Sequence, residues 1–300
     1  MKFKIKDIGQ LLKQTYSKWN AKDPFRESAV IAYYSIFSIP ALLVIVMSVA
    51  SLFFGTEIIS GYIYGQINST MGATTAEEVR QMVLKTATKG NSILATIIGI
   101  VILMLGATGV FAQLQKSLNI IWEVEADLTK TNFWKTVRIR LFSFGLILSM
   151  GFLLLVSLVA TSVLTALSDR LQSIWPEGII VLFYILNFVV SFAVIAVLFA
   201  LIFKILPDAK IKLSSVWIGS VITALLFVLG KFALAIYFGA TDQVSVYGPA
   251  GSVILILLWV SYSSGIVFFG AEFTKVFADH YAPAHAKPNE IAVKKEDRKV

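Results

Sequence analysis

Residues 32–43 read AYYSIFSIPALL, and they lie inside an apolar run, 28–56, that contains no Asp, Glu, Lys or Arg. The run holds 29 residues, more than the roughly 20 that a helix needs to cross a bilayer. It also carries hydroxyl groups, and Pro40 removes a backbone donor near its middle, which kinks a helix. Because a freed carbonyl group in lipid needs a partner, we expect this helix to turn that side toward protein.

Composition places the whole chain among membrane proteins. Hydrophobic residues make up 57% and charged residues 15%, against roughly 45–50% and about 25% in soluble domains. The chain has no cysteine, and both histidines, His280 and His285, lie in the polar tail. Clustered carboxylates or histidines are needed for metal-dependent hydrolysis, so the sequence predicts no metal site, no cofactor and no enzyme activity.

Six stretches are long and apolar enough to cross a bilayer. They are 28–54, 91–112, 141–166, 178–203, 213–239 and 250–271. Lys and Arg divide unequally between the segments that connect them, with 21 on one set and 4 on the other. The positive-inside rule therefore places both termini in the cytoplasm. The sequence predicts an all-α polytopic protein of the bacterial inner membrane with six transmembrane helices, 28–277, and amphipathic interfacial helices.

The net charge and the segments on either side of the spans indicate how the chain contacts the membrane. The net charge of +8 suits the anionic lipids of the inner leaflet rather than nucleic acid, because the basic residues lie in the cytoplasmic segments. Residues 1–27 form a predicted amphipathic segment, either a surface anchor or a helix that binds a partner. Residues 278–300 are predicted to be a disordered cytoplasmic tail. Whether copies of the chain form a homo-oligomer is left open.

Polar and small side chains inside the spans form a predicted cavity or substrate path, with helix packing as the alternative for each small residue. Lys231 is the only charge within a span, and it either snorkels to the outer headgroups or pairs with Asn187 at similar depth. The path residues are Tyr34, Ser38, Pro40, Gly106, Gln113, Asn187, Lys231, Ser261 and Glu272.

Two arginines, Arg138 and Arg140, open the third span at headgroup depth. Guanidinium groups bind phosphate and carboxylate in bidentate geometry, so these residues are candidates for headgroup binding, with topology anchoring as the alternative. Glu272, near the inner boundary of the last span, is a candidate partner for either arginine.

Four stretches together resemble the YihY/BrkB family of six-span bacterial inner-membrane proteins, once labelled ribonuclease BN. They are 32–43, 106–122, 206–237 and 247–273. The resemblance implies a six-helix membrane fold with links to serum resistance, to lipid or lipopolysaccharide-precursor movement and to transport. It supplies no agreed substrate or catalytic residues. Thr108 departs from the family pattern, in which a basic residue is common there, and Ile39 stands where a second proline is common.

Two functions follow as hypotheses. The first is a transporter or flippase for a lipid or another amphiphilic or anionic substrate, since kinked and small-faced helices suit a path through a bundle. The second is a non-enzymatic scaffold or envelope-integrity protein that organises lipids or partners, which the same small-residue faces fit equally well. Nuclease activity is not expected, because the cytoplasmic acids fit a solvated helix face.

Overall fold

The computed structural model describes residues 7–38, 60–61, 63–65, 67–68, 73–88, 93–126, 177–240, 251–281, 287–288 and 292–294. These residues are almost entirely helical, which confirms the predicted class. The helices are α1 (Ile8–Asn20), α2 (24–38), α3 (Ala73–Thr88), α4 (Ile93–Trp122), α5 (Glu177–Ile205), α6 (Leu213–Ala240) and α7 (Gly251–Tyr281). The strands are β1 (Val124–Ala126), β2 (Ala209–Lys210), β3 (Lys287–Pro288) and β4 (Ala292–Lys294).

Three of the described helices are long and apolar enough to cross a membrane: Ile185–Ile205, Leu213–Phe238 and Val253–Tyr281. They correspond to the fourth, fifth and sixth predicted spans. The last helix runs on to Tyr281, past the predicted end of its span at residue 271. The third predicted span, 141–166, lies outside the described residues.

Helix α6 shows why these helices suit lipid. One face is exposed and carries large apolar side chains that recur every three or four residues, the spacing of a single helix face. These side chains are Leu213, Trp217, Val221, Leu225, Leu229, Phe232 and Ile236. The opposite face is buried and small or polar, with Gly219, Ser220, Thr223 and Ala224. A helix that exposes its apolar side and buries its small side is arranged for a bilayer rather than for water.

The chain divides into two compact units. The first comprises Met1–Lys18, Leu118–Leu226 and Phe269–Val300, and the second comprises Trp19–Ser117 and Phe227–Phe268. Each unit is described by itself below.

In the first unit, α6 and α7 approach closely through two matched pairs of residues. Thr274 lies against Gly219, and Thr223 lies against Gly270, so that a Cβ at either glycine would collide with the opposing threonine. Each threonine hydroxyl donates to the carbonyl of the glycine four residues earlier, at 2.6 Å for Thr223 and 2.7 Å for Thr274. The threonines are thereby satisfied within their own helices, and the backbones can approach without an unpaired hydroxyl group.

Helix α1 packs on the end of α7 in the same unit. Leu11 belongs to a buried cluster with Phe273, Val276 and Phe277, and Leu12 packs against it. The Tyr281 hydroxyl donates to Asp7 at 2.7 Å. The amphipathic helix predicted within 1–27 therefore exists as Ile8–Asn20, and part of its apolar face contacts protein where a surface anchor would contact lipid.

Polar contacts tie the loops of the first unit to its helices. Asn119 and Asp208 form two reciprocal hydrogen bonds, from Asn119 Nδ2 to the carboxylate and from the Asp208 amide to Asn119 Oδ1, both 2.8 Å. Lys275, whose side chain is buried, forms an ion pair with Glu123, which follows the end of α4 and has a φ of 55°. The side chain of Asp208 is buried too, so these contacts place charge inside protein only where it is paired.

The tail contains two short strands where the sequence predicted disorder. Strand β4 pairs antiparallel with β1, with Glu125 opposite Val293, and β3 pairs antiparallel with β2. The pairings use two or three residues each, and their partners are more than 70 positions away in the chain. The tail composition favours disorder, but it does not reveal such nonlocal backbone hydrogen bonds.

Candidate functional site

The candidate site lies in the second unit and begins with the start of α2. Pro24 is the first residue of this helix, and Asp23 before it has a φ of 49°. Proline suits the first helical position, because its fixed φ is helical and its missing N–H would be unpaired there. The Glu27 amide donates to the Asp23 carbonyl at 3.2 Å, which places Glu27 in the first turn. The helix thus starts four residues before the predicted span at residue 28.

Helix α2 contacts α4 through the Glu27 cluster, which consists of Glu27, Gln113 and Ser117. Glu27 Oε2 accepts a hydrogen bond from Gln113 Nε2 and another from the Ser117 hydroxyl, the latter at 2.7 Å. Gln113 and Ser117 lie one helical turn apart, and Gln113 Nε2 is also 3.4 Å from Ser117 Oγ. Two neutral donors from one helix therefore fix a carboxylate on the other.

A second contact between the same helices lies farther along the chain. The Tyr34 ring covers Gly109, and a Cβ at this glycine would lie within 2.5 Å of Tyr34 Cδ1. Glycine is required here by the close approach of the ring, since a methyl group has no room.

Hydroxyl groups line the buried side of α2. Ser28, Ser35 and Ser38 are buried, and the Ser38 hydroxyl donates to the Ser35 carbonyl at 3.1 Å. Ser28 is 1% exposed, and its hydroxyl makes no hydrogen bond within the described part of the chain. It faces α7, where a Cβ at Gly265 would lie 3.7 Å from Ser28 Oγ.

Some of the predicted path residues lie on the same two helices. Tyr34, Ser38 and Gln113 all lie on α2 and α4 in the second unit, as does the backbone of Gly106. Ser261 on α7 is half-buried.

Other predicted residues lie elsewhere. Lys231 is half-buried on the part of α6 that belongs to the second unit, whereas Asn187 and Glu272 belong to the first unit. The Asn187 side-chain oxygen is buried and has no hydrogen-bond partner among the described residues. Its predicted pairing with Lys231 stays a prediction. Pro40, Arg138 and Arg140, and with them the predicted pairing of Glu272, lie outside the described residues.

Sequence reasoning missed Glu27, Ser28, Ser35 and Ser117. Glu27 falls in the predicted cytoplasmic segment, 1–27, because it is charged, and Tyr34, a predicted path residue, is 37% exposed. Two signals were available: the Asp-Pro pair that starts a helix four residues earlier, and the i, i+4 spacing of Gln113 and Ser117. Within the described residues, no group of three or more His, Asp or Glu is placed to hold a metal ion.

Comparisons with known proteins give a consistent result. The family model described as Virulence factor BrkB matches residues 15–295. A UPF0761 membrane protein of Pasteurella multocida is 28% identical over 63% of this chain and 57% of its own length. Another from Vibrio vulnificus is 25% identical over 85% of this chain and 78% of its own, and one from Teredinibacter turnerae is 24% identical over 95% and 64%. No solved structure matches the chain significantly.

Proposed function

Because the chain belongs to the Virulence factor BrkB family, we propose that it is a membrane transporter or flippase for a lipid or another amphiphilic or anionic substrate. The observation that carries the proposal is the Glu27 cluster: a carboxylate in the first turn of α2, fixed by an amide and a hydroxyl group of a second helix. Polar groups are expensive within a membrane domain, and they mark substrate or ion paths more often than lipid-facing surface.

The rest of α2 supports this proposal. Its buried side carries three serines, and its exposed side carries Phe25, Tyr33 and Phe37. A helix with hydroxyl groups toward its neighbours and aromatic rings outward combines a polar lining with a surface that suits lipid. We place the protein in the bacterial inner membrane with six spans and both termini in the cytoplasm, where its basic segments contact anionic lipids.

The alternative is a scaffold that organises lipids or partner proteins and catalyses no reaction. The observation that favours it is the first unit, where the glycine–threonine contacts of α6 and α7 and the pairing of β4 with β1 form a tightly tied structure. Such rigidity suits a scaffold, whereas a carboxylate fixed between two helices of a membrane domain suits a substrate path, so we prefer transport.

The test is lipid translocation by the purified full chain in liposomes. Trace lipids with a fluorescent label on an acyl chain and an unmodified headgroup are bleached in the outer leaflet by a membrane-impermeant reductant, and protein-mediated translocation also bleaches the inner-leaflet dye that survives in protein-free liposomes. We expect translocation with the native chain and slower translocation with Gln113→Leu, which removes a Glu27 donor. Gln81→Leu, on the outer helix α3, is the matched control. Bleaching equal to that of protein-free liposomes, across zwitterionic and anionic lipids, would favour the scaffold.

A further inference from the structure

The two oxygens of the Glu27 carboxylate have different surroundings. Both hydrogen bonds from α4 end on Oε2, from Gln113 and from Ser117. Within the described part of the chain, Oε1 accepts no hydrogen bond, and no lysine or arginine pairs with it. Because an ionised carboxylate has about four acceptor positions, Oε1 is positioned but has its own acceptor capacity left. This is the arrangement of a group oriented for a ligand.

The negative charge of the Glu27 carboxylate determines which ligand can bind there. A carboxylate in the first turn of a helix interacts favourably with the positive end of the helix dipole, so Glu27 presents a fixed negative charge. Its two donors are neutral and leave that charge without a counterion. An ammonium group supplies both the opposite charge and N–H donors directed at Oε1, and charge-assisted bonds of this kind are about twice as strong as neutral ones.

Charged and aromatic residues lie near the Glu27 cluster in the sequence. Arg26 precedes Glu27 and Lys116 precedes Ser117, and both cations are exposed. Farther along α2, the Tyr33 and Phe37 rings meet edge to face at 5.3 Å and are exposed. Exposed cations thus lie next in sequence to two members of the Glu27 cluster, and aromatic rings that suit the membrane interface lie on the exposed side of α2.

We propose that the Glu27 cluster binds the headgroup of an ethanolamine-type phospholipid, with its primary ammonium group on Glu27 Oε1. This inference rests on the proposed function and names the substrate class. It also gives a chemical selectivity: a choline headgroup carries the same charge but has no N–H group to donate to Oε1. Ser28, the buried and unpaired hydroxyl beside Glu27, adds a polar group on the side of α2 that faces α7.

The test is the thermal stability of the purified full chain in detergent, titrated with phosphatidylethanolamine, phosphatidylcholine, phosphatidylglycerol or soluble phosphoethanolamine. A ligand that binds the folded state raises the melting temperature by mass action. We expect the ethanolamine lipid to bind the native chain about tenfold more tightly than the choline lipid, a difference of about 1.4 kcal/mol, since only the ethanolamine headgroup donates a charge-assisted hydrogen bond to Oε1. Glu27→Gln is expected to abolish this preference, because the carbonyl oxygen of the new side-chain amide takes the place of Oε2 beneath the two donors, and the NH2 group left in the place of Oε1 cannot accept a hydrogen bond.

Controls separate the site from the rest of the molecule. Glu78→Gln, a carboxylate replacement on α3, should leave the preference intact. Equal affinity of the native chain for ethanolamine and choline lipids would overturn the proposal without any variant, and so would a preference that survives in Glu27→Gln. If Glu27→Gln does not fold, Ser117→Ala serves as a second variant. It keeps the Glu27 charge but removes the hydrogen bond from the Ser117 hydroxyl to Oε2, and it should reduce the difference in affinity between the ethanolamine and choline lipids. A stronger shift with soluble phosphoethanolamine than with the lipid would overturn the lipid assignment.

The headgroup titration and the translocation assay can fail independently of each other. A headgroup preference without translocation in liposomes would contradict transport and leave the binding site standing. Translocation without a preference would contradict the binding site and leave transport standing.

Discussion

At the scale of single residues, paired polar side chains decide which segments meet. Glu27 receives its side-chain hydrogen bonds from Gln113 and Ser117, which lie 86 and 90 positions away in the chain. Asn119, two residues beyond Ser117, belongs to the first unit and forms its reciprocal pair with Asp208 of that same unit. A few residues at the end of α4 therefore supply specific contacts to two different parts of the chain.

Asn119→Leu should destabilise the first unit. Asp208 is 7% exposed, and it loses one side-chain and one backbone partner when the amide is removed. The expected loss is about 1–3 kcal/mol, because the buried Asp208 loses two hydrogen bonds, one at its carboxylate and one at its backbone amide. The melting temperature of the purified protein reports the loss, and Gln14→Leu, at an exposed position of α1, is the control. An unchanged melting temperature for Asn119→Leu would mean that the pair contributes nothing.

Gln81→Leu should raise the pKa of the Glu77 carboxyl toward its ordinary value. This pKa is lowered chiefly by the hydrogen bond from Gln81, at 2.8 Å, and to a smaller extent by Arg80. The bond stabilises the charged form, so it is lost as the pH falls through the pKa and its removal shifts the titration upward. An NMR titration of the Glu77 carboxyl carbon measures the shift. Arg80→Leu should shift it less, and a larger shift for Arg80→Leu would contradict this ranking.

At the scale of helices, the residue spacing in α6 indicates its packing face but not the partner of that face. Gly219, Thr223 and Gly230 are spaced to share one face, and each lies against α7. The contacts are with Thr274 and Gly270 in the first unit and with Tyr262 in the second. Helical periodicity gives the face directly. Which threonine meets which glycine depends on the register between helices, and that is a tertiary property.

Replacing a glycine by alanine should have opposite effects at two positions. Gly219→Ala places a methyl group against Thr274, which is held by its own hydrogen bond, and overpacking of this kind costs about 1–3 kcal/mol. Gly9→Ala on α1 has nothing within 4 Å and should stabilise by about 0.5–1 kcal/mol, because alanine favours a helix. Thermal unfolding of the two variants measures the expected loss of stability for Gly219→Ala and the expected gain for Gly9→Ala. A Gly219→Ala protein as stable as the native chain would contradict the close α6–α7 contact.

At the scale of the whole molecule, sequence patterns predicted best the features that depend on neighbouring residues in the chain. Apolar length and composition identified the spans that match α5, α6 and α7, because a bilayer imposes a minimum helix length. The strands of the tail and the docking of α1 on α7 depend on nonlocal contacts, so composition alone suggested disorder and a surface anchor. For the same reason the sequence identified Gln113 as part of a site but missed Glu27, its partner.

The orientation is testable because the chain has no cysteine. A single cysteine at Gln10 on α1 should be protected from a membrane-impermeant thiol reagent in intact spheroplasts, and it should react after the membrane is opened. A cysteine at Gln81 on α3 should react in both conditions, since the positive-inside rule places this segment outside. The reverse pattern would contradict the proposed orientation.

The central claim is that the buried polar side of α2 lines a path open to water, whereas a scaffold would only pack there. The most direct measurement is the reaction of an impermeant thiol reagent with Ser28→Cys and Ser35→Cys, both on the buried side of α2, in the reconstituted protein, since thiols react as thiolates and need water. Leu225→Cys, on the exposed apolar face of α6, and Lys116→Cys, an exposed position on α4, are the unreactive and reactive controls. We expect both serine positions to react, more slowly than Lys116→Cys and faster than Leu225→Cys. Serine positions as unreactive as Leu225→Cys would contradict the claim.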